Sequence, residues 1–368
     1  MAPTKVAVLD DYHNLYPNEI SRLPSSKFEI SYFSQTLLPY NHPDTPESAK
    51  KELVDRLKPY TVISCIRERT PFPSALLEQL PNLKLLQSTG GRNKGIDFEA
   101  CERLGIKVAG TTGKGRSDEP EPTGLKKGPD STTQHAVTLI LAQARNVAED
   151  DRRTKGGDAA WQTTLTTGLA GKTLGVVGLG RLGANVAKIM HMAFGMRVIA
   201  WSANLTQEGA NQKAKETGLP IEDREIGGKT FTVVSKEELF RTADVVSMHY
   251  VLSHRSRGIV SAKDLKLMKP SAFFVNTSRG PLVVEKDLLA VAKAGKIRGV
   301  ALDVFDIEPL PQNSEWRNPK WGQNGTSRVL LTPHTAYVEE ETMTNWAKEV
   351  VENIELWHAG KDLNNVLV

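Results

Sequence analysis

Cysteine is nearly absent from this sequence: Cys65 and Cys101 are the only two among 368 residues. Two distant thiols in apolar surroundings build neither a disulfide framework nor a metal site, and they read as buried free thiols in a reducing compartment. The eight histidines show no metal-ligand spacing, so no metal is expected. No apolar run approaches the roughly 20 residues that span a bilayer, so no membrane is expected as a partner. Neither sign of charge dominates: 47 Lys and Arg against 43 Asp and Glu leave +4, spread along the chain. A nucleic-acid binder would cluster its basic residues, so nucleic acid is excluded as well. Aromatic residues make up 6%, and the six tryptophans read as core, interface or loop anchors. The opening residues enter a strand pattern at once, and the closing NNVLV matches no retention signal. The expectation is a cytoplasmic protein.

What the sequence does have is one stretch that organises the rest, residues 173–202. An apolar, β-branched run (TLGVV) is followed at once by Gly178-Leu179-Gly180-Arg181-Leu182-Gly183. A helical pattern then places Val186, Ala187, Ile189, Met190 and Ala193 on one face. Residues 197–201 close the unit as a second strand. A bare Gly-x-Gly-x-x-Gly is a weak signal. Flanked by strand and helix in this order, it is the βαβ fingerprint of a dinucleotide site. The first glycine permits the turn, the second lets backbone approach a pyrophosphate, and the third lets helix and strand close up. Amides at the helix N-terminus face the phosphates.

On either side of this unit, strands and helices alternate, predicting an α/β fold with parallel sheets. Before it, strands are expected at 5–9, 28–33, 61–64, 84–88 and 106–109, with helices at 46–57, 76–80 and 96–104. After it come strands at 244–248, 272–276, 298–302 and 329–332 and a long final helix at 339–358. Residues 113–132, rich in Gly, Pro and charge, read as a flexible loop or insertion. The length suffices for two domains.

Three motifs follow strands of the second half: Asn276-Thr277-Ser278-Arg279-Gly280, Asp303 to Pro309 (DVFDIEP), and Thr332-Pro333-His334. Open α/β sheets bind ligands at such strand ends. Together these motifs offer a guanidinium, a carboxylate and an imidazole. That set suits reduction of a 2-oxo acid: a planar fork to hold a carboxylate, an imidazole to protonate the developing alkoxide, and a carboxylate to favour the imidazolium.

With GLGRLG, NTSRG, DVFDIEP and TPH in order, the chain resembles the D-isomer-specific 2-hydroxyacid dehydrogenases from Val6 to about Gly360. The stretches RERTPFP, STGGRN and FGMRVIAWSANLT are similar to one subgroup of them. The resemblance implies two Rossmann-like or flavodoxin-like domains with a cleft between them. Residues 1–113 and 337–368 would form the substrate domain, and 114–336 the dinucleotide domain. It implies Arg279, Glu308 and His334 as the catalytic three and Asp303 facing the nicotinamide carboxamide. Thr277, Ser278, Arg279, His334 and the segment His249-Tyr250-Val251 would line the cofactor. Gly90 and Gly91 would offer amides to the substrate carboxylate, with Arg67 or Arg69 at its distal end. It further implies a homodimer, with residues 135–147 in the contact. The substrate would be glyoxylate, hydroxypyruvate or a larger 2-oxo acid.

Two positions depart from the family pattern. Gln134 stands where a glutamate is usual, and Ser202, followed by Ala203 and Asn204, stands where NAD-binding members carry an acid. That acid would accept from the ribose 2′-hydroxyl and repel a 2′-phosphate. Without it, NADP(H) is expected to be favoured, with NAD(H) also usable. Two other readings on the same fold are a cofactor-sensing corepressor and a formate dehydrogenase; Glu308 argues against the latter.

Overall fold

The computed structural model describes residues 2–120, 128–157, 159, 161–162, 164–225 and 227–368. By packing, the chain forms two units: Met1–Lys126 with Ile307–Pro309 and Val338–Val368, and Lys127–Asp306 with Leu310–Tyr337.

The first unit begins β1 (Thr4–Leu9), α1 (Tyr16–Ile20), β2 (Phe28–Phe33), α2 (Glu47–Leu57) and β3 (Val62–Cys65). It continues through α3 (Ser74–Leu77), β4 (Leu85–Ser88), α4 (Phe98–Arg103) and β5 (Lys107–Ala109). Its strands pair in parallel in the order β2-β1-β3-β4-β5. The order reverses between β1 and β3, so loops 10–15 and 66–73 open at the switch point where such sheets bind ligands. β3 and β4 are buried at every position, as strands covered on both faces must be. Cys65 and Cys101 are buried, and burial pushes both thiols up to about 12, so they are inert.

The second unit holds α5 (Ser131–Arg145), α6 (Val147–Lys155), β6 (Thr173–Val177), α7 (Arg181–Phe194), β7 (Arg197–Trp201) and α8 (Gln207–Glu216). A two-strand hairpin, β8 (Glu222–Asp223) and β9 (Gly228–Lys229), precedes β10 (Phe231–Val233), α9 (Lys236–Thr242) and β11 (Val245–Met248). There follow α10 (Ala262–Leu265), β12 (Phe273–Asn276), α11 (Glu285–Lys293), β13 (Gly299–Leu302) and β14 (Arg328–Leu331). The sheet is wholly parallel, ordered β10-β7-β6-β11-β12-β13-β14, and reverses between β6 and β11. Alternation sorts its side chains: Leu174, Val176, Phe273 and Val275 pack on one face, Val177, Val246 and Phe274 on the other.

The final helix, α12 (Glu340–His358), belongs to the first unit. It changes the reading of residues 113–132. Glu349, 7% exposed, accepts from the amides of Gly113 at 2.7 Å and Gly115 at 3.0 Å and also from the Thr112 amide. Glu352 accepts from the Ser117 amide at 2.9 Å. Buried carboxylates require donors, and here backbone supplies them, so residues 112–117 are strapped to α12 and do not form a loose loop. The rest of that expected loop includes residues 121–127, which lie outside the described residues, and the start of α5. α5 begins at Ser131, where Asp130 caps it by accepting from Thr133 N at 3.0 Å. Among the described residues no helix is long and apolar enough to cross a membrane.

Candidate functional site

The glycine turn sits at the β6–β11 reversal, and the three glycines divide the work as their spacing requires. Gly178 has φ +101°, and a Cβ there would lie 2.7 Å from the carbonyl of His249, just past β11. A Cβ on Gly183 would lie 2.2 Å from Gly178 O and 3.1 Å from Val176 Cγ1, so helix and strand close only on glycine. At Gly180 a Cβ would meet nothing within 4 Å. That open face borders the N-terminus of α7, whose cap residue Gly180 has no side chain to satisfy the helix amides. Arg181, on the first turn, pairs with Asp130 at 2.7 Å, and Leu182 beside it is half-buried.

At the end of β7, Ser202 Oγ accepts from Leu179 N at 3.3 Å, and the phenol of Tyr250 accepts from Ala203 N at 3.2 Å. Asn204 and Val251 are exposed beside them in sequence. His249 bonds through Nε2 to Ser247 Oγ at 2.8 Å, and burial of its ring pushes its pKa down to about 4.

The Asn276–Gly280 turn is fixed from within. Asn276, 1% exposed, accepts from Ser278 N and donates to Arg279 O, both at 3.0 Å. Gly280 packs against Phe305, where a Cβ would overlap the carbonyl. Arg279 Nη1 donates to Ser278 O at 2.7 Å. Ser278 Oγ donates to Met248 O at 2.9 Å. Thr277 Oγ1, by contrast, is buried and has no protein partner among the described residues.

Asp303 lies just past β13. It is fully buried. Its Oδ1 accepts from Thr332 Oγ1 at 2.6 Å and Thr335 N at 2.9 Å and lies 3.3 Å from His135 Nε2; its Oδ2 accepts from Ala336 N at 3.0 Å. Burial alone would raise this carboxyl, but the hydrogen bonds from His135 and Thr332, with that of Thr335, hold it below its ordinary value. A carboxylate so placed fixes the turn that carries His334. His334 itself has φ +52° and donates its amide to Asp303 O at 2.8 Å. A non-glycine residue holds this conformation only where its surroundings fix it. Its ring stands edge-on to Tyr337, 5.5 Å between centroids.

In the first unit, Arg67 has φ +51° and donates its amide to Thr89 Oγ1 at 3.0 Å. Its guanidinium lies against Gly90, where a Cβ would be 2.2 Å from Nη1. The Gly90 amide donates to Thr111 Oγ1 at 2.6 Å. Gly91 is exposed, with open space around it. Arg69 donates to Asp10 O at 2.6 Å and stacks over Tyr12 at 4.3 Å. Burial raises the Tyr12 phenol, and the carboxylates of Asp10 and Glu308 act in the same direction, which places Glu308 within electrostatic reach of Tyr12.

Sequence reasoning missed three residues here. His135 was set aside for lacking metal spacing, yet it faces Asp303; Tyr12 and Tyr337 stood outside every motif. Among the described residues no cluster of His, Cys, Asp and Glu could hold a metal ion. The residues fit a dinucleotide instead: an open glycine face, uncapped helix amides and an orphaned buried hydroxyl at Thr277.

Comparison with known proteins agrees. The family model described as "D-isomer specific 2-hydroxyacid dehydrogenase, NAD binding domain" matches residues 137–336. A glyoxylate reductase of Aeropyrum pernix is 33% identical over 78% of this chain and 76% of its own. A hydroxypyruvate reductase of Thermotoga maritima is 30% identical over 84% and 89%. A crystal structure of a phosphoglycerate oxidoreductase from Vibrio cholerae superposes with a TM-score of 0.74 at 32% identity, covering 97% of this chain and 99% of that one. The chain belongs to the D-isomer specific 2-hydroxyacid dehydrogenases, a family of NAD(P)-dependent oxidoreductases.

Proposed function

We propose that the protein interconverts a 2-oxo acid and a D-2-hydroxy acid, with glyoxylate, hydroxypyruvate or a larger 2-oxo acid as substrate. The first unit serves as the substrate domain. The observation that carries the reading is His334, an imidazole held in a left-handed turn by a buried, saturated carboxylate. Such a turn keeps one side chain in one pose, as proton transfer demands. Arg279 orients the carboxylate and the carbonyl of the substrate. His334 gives its proton to the oxygen at C2; a reduced nicotinamide, when bound, would supply the hydride for the carbon. Glu308 supports the imidazolium. On the first unit, the Gly91 amide binds the carboxylate and Arg67 the distal end. In the reverse direction His334 takes the hydroxyl proton.

The protein works as a cytoplasmic homodimer, and NADP(H) is its preferred cofactor. The support for that preference is the hydroxyl at Ser202 in place of an acid. The test is oxidation of NADPH and NADH, followed at 340 nm, with a panel of 2-oxo acids, in wild type and in Ser202→Asp. Turnover favouring NADPH, with the preference reduced by the new aspartate, supports the reading. Wild type favouring NADH, or undiminished NADPH use by the variant, refutes the preference. Tight cofactor binding with no turnover of any acid would assign the protein to the corepressor-like binding modules.

A further inference from the structure

The carboxyl end of β7 presents a second hydroxyl besides Ser202, and it comes from another strand. Tyr250 follows β11, and its ring stacks on Trp201, with centroids 5.9 Å apart and planes 19° from parallel. This stacking carries the phenol to the residues just past β7, where its oxygen accepts from Ala203 N at 3.2 Å. Ser202 Oγ likewise accepts from Leu179 N at 3.3 Å. A hydroxyl whose oxygen has taken a backbone N–H keeps its own proton to donate. Neither proton has an acceptor among the described residues. The neighbouring cation, Lys236, lies 5.6 Å over the Trp201 ring and pairs with Asp264 at 2.9 Å, so its charge is already matched. The strand end thus presents two O–H donors, with no carboxylate in the sequence from Trp201 to Thr206.

We infer that Tyr250 is a cofactor-specificity residue, its phenolic O–H donating to the 2′-phosphate of NADP(H) alongside Ser202. The inference rests on the NADP(H) reading above and adds a residue to it. Donors alone suit a charged acceptor: hydrogen bonds to a charged group are stronger than those to a neutral hydroxyl. Discrimination would come from paired hydroxyls instead of an arginine clamp. The ring and the hydroxyl of Tyr250 have separable roles, the ring in stacking on Trp201 and the hydroxyl in selecting the phosphate.

The test uses 2′,5′-ADP and 5′-ADP as probes, with dissociation constants measured by calorimetry and by quenching of tryptophan fluorescence, on wild type and Tyr250→Phe. Phenylalanine keeps the ring, so unchanged 5′-ADP affinity also reports an intact fold. The expected result is wild type preferring 2′,5′-ADP, with Tyr250→Phe weakening that ligand by about tenfold or more and 5′-ADP by less than about twofold. If wild type prefers 2′,5′-ADP and the variant keeps that preference in full, or loses affinity for both probes equally, the role of Tyr250 is overturned while the NADP(H) reading stands. If wild type binds 5′-ADP as tightly as 2′,5′-ADP, both fall.

Discussion

Replacing Asp303 by asparagine tests whether a buried carboxylate builds the His334 turn. The change keeps the shape and removes the charge and one acceptor. In wild type, Thr332 Oγ1, Thr335 N and His135 Nε2 face Oδ1, and Ala336 N faces Oδ2 at 3.0 Å. An asparagine oxygen can keep the more crowded side only by turning its amino group toward the Ala336 amide, donor against donor. Leaving that buried N–H unsatisfied costs about 1–3 kcal/mol. The bonds from Thr332 and Thr335 fall from charge-assisted to neutral strength, roughly another 1–2 kcal/mol together. The sum, about 3 kcal/mol, corresponds to roughly a hundredfold change in the local opening equilibrium. Hydrogen exchange of the Thr335 and Ala336 amides at pH 7 should accelerate by about that factor, while amides of β6 and β11 stay protected. The rate of 2-oxo acid reduction should fall with it, because Thr332 and Thr335, which flank His334, lose strength in their bonds to this side chain. Exchange at Thr335 and Ala336 within about threefold of wild type would refute the argument. The pH dependence has a definite sign. The native carboxyl lies below its ordinary value, so its contribution is present above that value and fades as pH falls through the lowered one. Asp303→Asn should lose this acid limb.

Gly183→Ala should displace the glycine turn from α7, because its Cβ meets a backbone carbonyl at 2.2 Å; thermal unfolding and cofactor titration should both show losses. Gly180→Ala, with nothing within 4 Å of its Cβ, should unfold like wild type and bind NADPH more weakly, and equal behaviour of the two variants would contradict the division of roles. His334→Gln should lower kcat by roughly 10²–10⁴ with NADPH affinity retained, whereas Arg279→Lys should raise KM for the 2-oxo acid and lower kcat as the bidentate fork is lost; steady-state kinetics with separate cofactor titrations check both. His249, pushed from 6.5 to about 4, binds a proton more readily when unfolded, so stability should fall as pH drops from about 6.5 toward 4, and denaturant titrations of His249→Gln should show a shallower fall.

The βαβ unit was legible because each part has a local cause: an apolar run buried on both faces, glycines at a fixed spacing, a 3.6-residue period. The strands after it were legible for the same reason, and so were the motifs at their ends. The edge strand β10 and the polar helix α6 escaped, the first three residues long and the second without a buried face. The strapping of residues 112–117 escaped because its cause lies far along the chain, in two glutamates of α12 that look like surface carboxylates on an amphipathic helix.

The candidate site divides along the same line. Arg279 and His334 are recognisable because each stands in a short motif after a strand. Asp303 stands in such a motif too, but its hydrogen-bond partners were not legible there. The sequence shows a carboxylate at a strand end, a place suited to a ligand; it does not show that Ala336, Thr335, Thr332 and His135 converge on it. One signal was available. The run Thr332-Pro333-His334-Thr335-Ala336 contains no glycine, yet it must turn sharply after a strand. The free amides of such a turn need acceptors, and the nearest carboxylate at an adjacent strand end is Asp303. The pairing of β13 with β14, Leu302 beside Leu331, then brings the two together. Register, once known, shows the aspartate as the residue that fixes the turn carrying His334.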